Sequence, residues 1–480
     1  MNTQAIDHVA LLPGYLAAAT AVLALLTDLV FARRAAVLAV TGLGVLATAV
    51  GAVWVASLGE RQTFCTDDGC SYVTSRPGAL VVVVLCALTL AVLGLSAPTL
   101  RDTDGPPVGE YTFLLACSLT GGVLLAYARD LITLVVALET LTLPLYVLVA
   151  MRRKEERSAE ASVNFLLVSV AASALTLFGA ALLYAVTGTV QLTALASALD
   201  GDTIPLTAAA VALVVTGMAF KVAAVPLHGW APGTYDGAPL PVAAYLSTAS
   251  KLGGVVALVW VLTIGLKPVL PIAGTVLAVL AVATMTVGNL AALRQTRAVR
   301  LLAWSSIAQA GYLLAPLGAL AAATGPATVR AAATAVIGFA VFYAVMELAA
   351  FAALIGLRGR HPDGGELTDY TGAARRSPLT GAVLILALTA LAGLPPGLAG
   401  LFAKITVISA VAGAAPWLAV VIAVNAVIGL VYYLRFSVLL LRPGSVGAAP
   451  APWPVAATVA ISAVVALVVG FAPQLILGLA

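Results

Sequence analysis

Four ionisable residues lie inside long apolar stretches of the sequence: Glu139, Lys221, Lys251 and Lys404. On insertion scales a charged side chain at the centre of a bilayer costs about 2.5–3.5 kcal/mol, so such residues are rare in membrane spans and usually functional. The protonation of a desolvated amine or carboxylate changes readily when a neighbouring charge moves. The four residues therefore predict a proton or cation path.

Two of these charges stand five residues before a proline, Glu139 before Pro144 and Lys221 before Pro226. Proline removes a backbone donor and crowds the preceding turn, so the helix is expected to be disturbed just beyond each charge. The freed carbonyls then need a hydrated space lined by protein. Such an acid and amine can form a switchable pair or a buried structural ion pair. The spans hold too few acids to neutralise every lysine, and this favours the switchable pair.

Three further residues are candidates for supporting roles in a relay. His228 lies just beyond the predicted helix break and could pass protons between solvent and Lys221, or be a hydrogen-bonded structural residue. Ser250 directly precedes Lys251. Glu347 is the only other acid deep in an apolar stretch, and it could counter a lysine or turn toward a polar part of the bundle.

The composition identifies the kind of protein that positions these residues. Of 480 residues, 62% are hydrophobic and 9% are charged, with a mean hydropathy of +1.09. Soluble domains carry about 25% charged residues. The sequence therefore predicts an all-α polytopic membrane protein. The first ten residues lack a positive region, so we expect the first apolar run to be a retained helix and not a cleaved signal.

A helix needs about 20 apolar residues to cross a bilayer, and fourteen segments qualify. The twelfth is too long for one span, and a glycine- and proline-rich stretch at 393–397 must interrupt it. The predicted spans are roughly 9–30, 35–58, 79–97, 110–128, 131–150, 161–187, 206–226, 240–266, 269–292, 300–322, 329–356, 378–412, 416–440 and 452–478.

The loops between these spans predict the orientation, because lysine and arginine concentrate on the cytoplasmic side. Of the 24 basic residues, three lie in spans. Five fall on one side: Arg61, Arg76, Arg129, Lys267 and Arg330. Sixteen fall on the other: Arg33, Arg34, Arg101, Arg152, Arg153, Lys154, Arg157, Arg294, Arg297, Arg300, Arg358, Arg360, Arg375, Arg376, Arg435 and Arg442. We interpret these arginines as topology anchors, and both termini are predicted outside.

Other classes of function are disfavoured. No loop exceeds about thirty residues, which leaves no room for a soluble domain, and the net charge of +4 is too small to suggest nucleic acid. Four cysteines are too few and wrongly spaced for an iron–sulfur cluster. Cys65 and Cys70 bracket a polar loop on the predicted outer side, where they form a disulfide or remain two thiols.

The region around the lysines resembles a known family. The segment from Phe220-Lys221 through Val225-Pro226-Leu-His228 and Tyr235-Asp236-Gly-Ala-Pro to Ser250-Lys251 resembles the signature of subunit N of respiratory complex I, an antiporter-like membrane subunit of NADH–quinone oxidoreductase. The resemblance covers most of residues 110 to 436. Supporting segments are Leu138-Glu139, Leu143-Pro144-Leu-Tyr146, Gly288-Asn289, Trp304-Ser305-Ser306, Gly393-Leu-Pro395-Pro396-Gly397, Lys404 and Tyr432-Tyr433-Leu-Arg435.

The resemblance implies an architecture. It implies fourteen helices with helices 7 and 12 broken at the midplane, in line with inverted-repeat transporters. The expected units are N-terminal helices in 1–105, a first five-helix repeat in 106–268, an inverted second repeat in 269–442, and a last helix in 443–480. It also implies roles: Glu139 and Lys221 as a coupling ion pair, Lys251 as the central relay, and Lys404 as the far proton site.

The implied function is proton translocation coupled to quinone reduction in a bacterial plasma membrane. No redox cofactor is expected in this chain. FMN, iron–sulfur clusters and quinone would belong to partner subunits, reached through other membrane-arm subunits of complex I. Two alternatives remain open: a subunit of an Mrp-type cation/proton antiporter without a redox partner, and a structural subunit of a related complex that does not pump.

The sequence departs from the family pattern at several positions. Asn164-Phe165 replaces the usual Lys-Tyr, Trp304 replaces a tyrosine, Gln309 replaces a histidine and Glu347 replaces an asparagine. Gln309 removes a titratable group and Glu347 adds one. We therefore expect the path through the second half to be altered, while the four principal charges remain.

Overall fold

The structure is a computed structural model that describes residues 6–101, 105–152, 155–199, 204–359, 361, 363–444 and 451–478. Helices dominate it, as predicted. Within the described residues, twelve helices are long and apolar enough to cross a membrane. A small antiparallel hairpin of two strands is the one sheet there.

Twenty α-helices and two strands follow one another along the described chain. In order they are α1 (Leu12–Phe31), α2 (Arg34–Ser57), β1 (Arg61–Thr66), β2 (Gly69–Thr74), α3 (Arg76–Ser96), α4 (Val108–Tyr127), α5 (Leu131–Val149), α6 (Glu156–Thr187), α7 (Leu192–Ala198), α8 (Pro205–Ala219), α9 (Trp230–Gly237), α10 (Leu240–Tyr245), α11 (Lys251–Trp260), α12 (Leu270–Leu293), α13 (Ala298–Gly318), α14 (Pro326–Arg358), α15 (Ala373–Arg376), α16 (Pro378–Ala392), α17 (Leu398–Ala412), α18 (Pro416–Leu441), α19 (Trp453–Phe471) and α20 (Gln474–Leu477).

Each of the fourteen predicted spans coincides with one of these helices or with a pair of them. Among the helices that no break interrupts, α6 starts earlier than predicted, at Glu156 and not near residue 161. Its first turns carry Glu156, Arg157 and Glu160, so the helix extends beyond its apolar part. Hydropathy detects only the apolar portion of such a helix, which explains the difference.

Both predicted helix breaks are present. After α8, one 3₁₀ turn (Phe220–Val222) leads to Ala223 at φ +62°, and the chain is irregular until Trp230. After α16, Gly393 at φ +83° begins the second break. Left-handed backbone of this kind ends a helix, and glycine adopts it without the penalty of a Cβ. The disturbance predicted beyond Glu139 is not a break, because Pro144 lies inside α5, which continues to Val149.

The hairpin of β1 and β2 was not predicted from the sequence, and neither were the short helices α7, α9 and α15. Its strands are short and polar, and Cys65 and Cys70 are joined by a disulfide. The hairpin packs on the ends of the first helices: Arg129 N donates to Ser71 O at 2.9 Å, and Gln191 Nε2 donates to Ser71 Oγ at 2.8 Å. The disulfide therefore closes a hairpin that ties the segments before α5 and α7 together.

The core is formed by α10, α11, α13 and α14. α10 and α11 are joined by a π turn (Leu246–Ser250) into one buried span, and most of α14 is also buried. α1, α2 and α18, in contrast, expose large apolar side chains such as Leu29, Leu43 and Val427. Exposed apolar faces suit a hydrocarbon solvent. Polar side chains need partners inside the protein, and they lie on the buried helices.

Candidate functional site

Glu139 and Lys221 form an ion pair between α5 and the end of α8. Lys221 Nζ lies 2.9 Å from Glu139 Oε1. The ammonium group also donates to Thr142 Oγ1 and Ser169 Oγ, each at 3.2 Å. Ser173 Oγ donates to Glu139 Oε1 at 2.5 Å. The two charges that the sequence predicted as a pair are therefore joined, and three hydroxyl groups complete their contacts.

The position of Lys221 follows from the helix break. The 3₁₀ turn at Phe220–Val222 ends the helix at the lysine, and the side chain is almost fully buried. α11 packs closely against it, because a Cβ added at Gly254 would lie 2.7 Å from Lys221 Cβ. The pair is thus held between α5, α6 and α11, where a change in any of these helices alters the distance between the charges.

Aromatic side chains adjoin this pair. Phe165 stacks on Trp230 with ring centroids 4.5 Å apart, and Trp230 contacts Phe220, the neighbour of Lys221, at 5.5 Å. Asn164 lines a cavity of about 310 Å³ at the ends of α6, α9 and α13. The aromatic contacts join α6 and α9, two of the helices that line this cavity, to the turn that holds the lysine.

Lys251 begins α11, directly after the π turn. π turns inside α-helices are rare and frequently occur at functional sites. The buried Lys251 Nζ donates to the Ser306 carbonyl at 2.7 Å and to the Ser306 hydroxyl. Tyr343 OH donates to the same hydroxyl at 2.7 Å. Lys251 therefore lies at the junction of α11 with α13 and α14, and no carboxylate of the described chain contacts it directly.

Lys404 on α17 binds the second helix break. Its Nζ donates to Ala392 O at 2.5 Å and to Leu391 O at 3.1 Å. These are carbonyls of the last turn of α16, which have no partner within their own helix. A cation is favourable at this end of a helix. The break thus provides Lys404 with its site, and α16 depends on Lys404 for its last hydrogen bonds.

The supporting candidates have different surroundings. Glu347 is fully buried on α14, and neither carboxylate oxygen has a hydrogen-bond partner in the described chain. His228 is half-buried in the first break, where Nδ1 lies 3.2 Å from Pro226 O and the ring faces Trp304 at 5.3 Å. Ser250 is buried in the π turn. Among the described contacts, neither His228 nor Ser250 binds one of the four principal charges.

The structure adds residues that the charges alone did not indicate. Gln309 Nε2 donates to Leu391 O and to Tyr433 OH, both at 3.1 Å, and Tyr433 OH is hydrogen-bonded to Ser305. Ser305 neighbours Ser306, which binds Lys251. Polar groups therefore lie at intervals from Lys251 to Lys404, with the sequence neighbours Ser305 and Ser306 at one end and the Leu391 carbonyl shared by Gln309 and Lys404 at the other. Hydroxyl and amide residues are common in membrane helices, so only their positions beside the lysines distinguish them.

This arrangement can transfer protons and does not resemble a metal centre. Among the described residues, no group of three or more histidine, cysteine, aspartate or glutamate side chains could hold a metal ion. The principal charges are amines and carboxylates in low-dielectric surroundings, joined by hydroxyl groups. Such groups exchange protons when their electrostatic surroundings change.

Comparison with known proteins identifies the family. A sequence profile described as NADH:quinone oxidoreductase/Mrp antiporter, TM, matches residues 128–429. The chain is 58% identical to NADH-quinone oxidoreductase subunit N of Salinispora tropica, with 99% of each chain covered. The chain belongs to the family of NADH-quinone oxidoreductase subunit N. A second member, subunit N 2 of Streptomyces griseus, is 44% identical over 94% of this chain and 86% of its own length. The resemblance predicted from the sequence is thus confirmed.

Solved structures of two membrane complexes contain chains with the same fold as this subunit N chain. A chain of respiratory complex I from Thermus thermophilus matches with a TM-score of 0.81 and 30% identity, covering 98% of this chain and 99% of that one. A chain of the Mrp complex from Dietzia sp. DQ12-45-1b matches with a TM-score of 0.82 and 25% identity, covering 98% and 96%. The antiporter-like fold predicted for subunit N is therefore confirmed.

Proposed function

We propose that this chain translocates protons as a membrane-arm subunit of an NADH–quinone oxidoreductase, coupling quinone reduction in partner subunits to proton movement. The Glu139–Lys221 pair carries this proposal. Its 2.9 Å contact lies at a helix break and inside a bundle. A purely structural ion pair has no need of a broken helix, and the desolvation of a buried pair often exceeds its stabilising attraction.

The pair acts as a switch. While Glu139 lies beside Lys221, the carboxylate favours the protonated amine. When the two groups separate, burial disfavours the charged amine, and Lys221 releases its proton. The close contact of Gly254 with Lys221 places α11, which begins with Lys251, next to the switch. The proton released by Lys221 therefore passes toward Lys251.

The second half of the chain receives the proton. Lys251 is the central relay, and Lys404 at the second break is the far proton site from which the proton leaves. We assign the two halves to residues 106–268 and 269–442 as inverted repeats, each with one broken helix and a buried lysine near the break. Residues 1–105 and 443–480 provide the flanking helices.

The relatives named above are subunits of NADH-quinone oxidoreductases, and this supports the same assignment here. FMN, iron–sulfur clusters and the quinone site then belong to partner subunits, which carry out the redox reaction. This chain moves the protons that are coupled to it. Other membrane-arm subunits and the surrounding lipid are its direct neighbours.

We infer that both termini and the hairpin face the outside of a bacterial plasma membrane. The excess of basic residues on the opposite side supports this orientation, and so does the Cys65–Cys70 disulfide, because disulfides persist in oxidising compartments. After mild reduction, a membrane-impermeant thiol reagent should label Cys65 and Cys70 in intact cells. Labelling only after the membrane is opened would show that the hairpin faces the cytoplasm, opposite to the proposed orientation.

The decisive experiment replaces Lys221 with Met in the complete complex, reconstituted in liposomes, and measures the protons moved per NADH oxidised. Lys267→Met provides a matched control, because Lys267 is exposed in the 3₁₀ turn that precedes α12. We expect Lys221→Met to lose most proton movement and Lys267→Met to retain it, with subunit content unchanged in both. Full proton movement in Lys221→Met would overturn the proposal and favour a structural subunit. Sodium/proton exchange by the chain without any quinone reductase would favour an antiporter.

A further inference from the structure

Glu347 has the surroundings of a proton carrier. It is fully buried, and both carboxylate oxygens are without hydrogen-bond partners in the described chain. A buried carboxylate left in this condition is costly unless it takes up a proton or gains a partner. The groups that interact electrostatically with it are the Lys251 ammonium and the hydroxyls of Tyr235, Tyr343 and Tyr433. In the described chain, no hydrogen bond joins the Glu347 carboxylate to any of these groups.

One side of Glu347 leads to Lys251. Tyr343 lies one helical turn before Glu347 on α14, and its hydroxyl donates to Ser306 Oγ at 2.7 Å. The same Ser306 oxygen accepts from Lys251 Nζ, which lies 5.4 Å from the centre of the Tyr343 ring. The two hydroxyls are thus bonded to each other beside the Lys251 amine, and the Tyr343 side chain lies one turn from the carboxylate on the same helix.

The other side leads to Lys404. Met346 precedes Glu347 on α14. A Cβ added at Gly400 would lie 3.0 Å from the Met346 sulfur, so this turn of α14 packs on the start of α17. Tyr433 OH binds Gln309 Nε2, and Gln309 in turn shares the carbonyl of Leu391 with Lys404. An amide neither gains nor loses a proton at neutral pH, so Gln309 orients this region without carrying the proton.

We propose that Glu347 carries the proton from Lys251 to Lys404, supplying the titratable group that position 309 lacks. This inference rests on the proposed function in proton translocation. In the first step an N–H bond of protonated Lys251 breaks and an O–H bond forms on Glu347, which leaves both groups neutral. In the second step the O–H bond of Glu347 breaks and an N–H bond forms on neutral Lys404, which leaves Glu347 as the anion.

Charge balance favours this order. Two ammonium groups in one low-dielectric region repel each other, and one carboxylate can offset only one of them. While Lys251 is protonated, anionic Glu347 neutralises it. Once the proton has reached Lys404, Glu347 is again an anion and favours uptake of the next proton by Lys251. The carboxylate thus resets the path in each cycle.

The test uses the complete complex in liposomes with four variants of this chain. Glu347→Gln keeps the shape of the side chain and removes its proton site, and we expect the pumping rate to fall at least about tenfold. Glu347→Asp keeps a carboxyl group and should retain an intermediate rate. Glu110→Gln, at an exposed acid at the start of α4, should pump at the wild-type rate. Glu347→Gln combined with Gln309→His should recover part of the rate, because an imidazole at 309 would lie between Tyr433 and Leu391.

The rescue separates proton transfer from a structural role, since a lost structural contact would not be restored by a histidine at another position. Wild-type pumping in Glu347→Gln would overturn the inference, and if Lys221→Met still abolished pumping, the proposed function would stand. If Glu347→Gln failed to assemble, infrared spectra of wild-type and Glu347→Asp complexes would decide. In difference spectra recorded during turnover, a protonated carboxyl band that appears and shifts between the two supports a carrier, and its absence in both overturns the inference.

Discussion

Lys221 and Glu139 are 82 positions apart in the sequence, and their charged groups meet at 2.9 Å across α5 and the end of α8. Around them, Thr142 and Ser169 bind the amine, and Ser173 binds the carboxylate. The amine therefore keeps two hydroxyl partners when the carboxylate moves away. Separation of the pair would leave Lys221 hydrogen-bonded but without a counter-charge, which is the condition in which the proposed function has it give up a proton.

Replacement of Glu139 by Gln removes the charge and keeps the size of the side chain. Hydrogen bonds to charged groups contribute about 1.5–3 kcal/mol, so we expect proton movement to slow about tenfold or more in the reconstituted complex. Ser173→Ala removes only a hydroxyl that orients the carboxylate, and its effect should be about tenfold smaller. Equal rates in wild type and Glu139→Gln would show that the pair does not couple.

Gly254 sets the distance between α11 and the lysine. A Cβ there would lie 2.7 Å from Lys221 Cβ and 3.1 Å from its carbonyl carbon, whereas a Cβ at Gly253 would meet the ends of Leu141 and Leu125 at 3.0 and 3.3 Å. Leucine ends can move and the backbone cannot. We expect Gly254→Ala to cost about 1–3 kcal/mol of stability and to slow pumping, with a smaller effect for Gly253→Ala.

Thermal unfolding of the purified complex and the pumping rate of both variants measure this difference. If Gly253→Ala were as damaging as Gly254→Ala, the contact with Lys221 would not be the cause. An unchanged pumping rate in a stable Gly254→Ala variant would show that the spacing of α11 and Lys221 is not critical for proton transfer.

Much of the helical architecture could be predicted from the sequence because apolar length and proline spacing are local signals. The breaks at Pro226 and at 393–397 are both present, and the family assignment rests on the same segments. The hairpin was missed because its strands are short and polar. Its placement on the bundle involves contacts with Ala128 and Gln191, which are distant in the sequence.

The site was predictable only in part, for a related reason. The buried charges are exceptional residues in apolar stretches, so Glu139, Lys221, Lys251 and Lys404 can be recognised individually. Their partners are ordinary serines, threonines and tyrosines, and only the packing of α13, α14 and α18 selects Ser306, Tyr343 and Tyr433 from among them. The roles of all these residues in proton transfer remain predictions.

The arginines at the ends of the helices do more than anchor topology. Arg297 Nε binds both carboxylate oxygens of Asp236, at 3.0 and 2.9 Å, and its Nη2 lies 3.5 Å from Asp363 Oδ2. Arg358 Nη2 donates to Asp363 Oδ1 at 2.7 Å. These ion pairs join the end of α9 to the start of α13 and to the loop after α14, on the side where Asn164 lines the cavity.

Asp363 makes this network sensitive to acid. Burial raises the pKa of its carboxyl group, but the hydrogen bond from Arg358 and the charges of Arg358 and Arg297 together lower that pKa below the usual value. A carboxyl group whose pKa is lowered in the folded state stabilises the fold fully at pH values above its unfolded pKa, which is about 3.9 for aspartate. That stabilisation is lost as the pH falls through the lower, folded value.

Asp363→Asn should therefore lower the unfolding temperature at pH 7, with Asp67→Asn, on the exposed hairpin turn, as the control. As the pH is lowered toward 3, the difference between wild type and Asp363→Asn should shrink, and a difference that stays constant with pH would show that the charge of Asp363 does not contribute to stability.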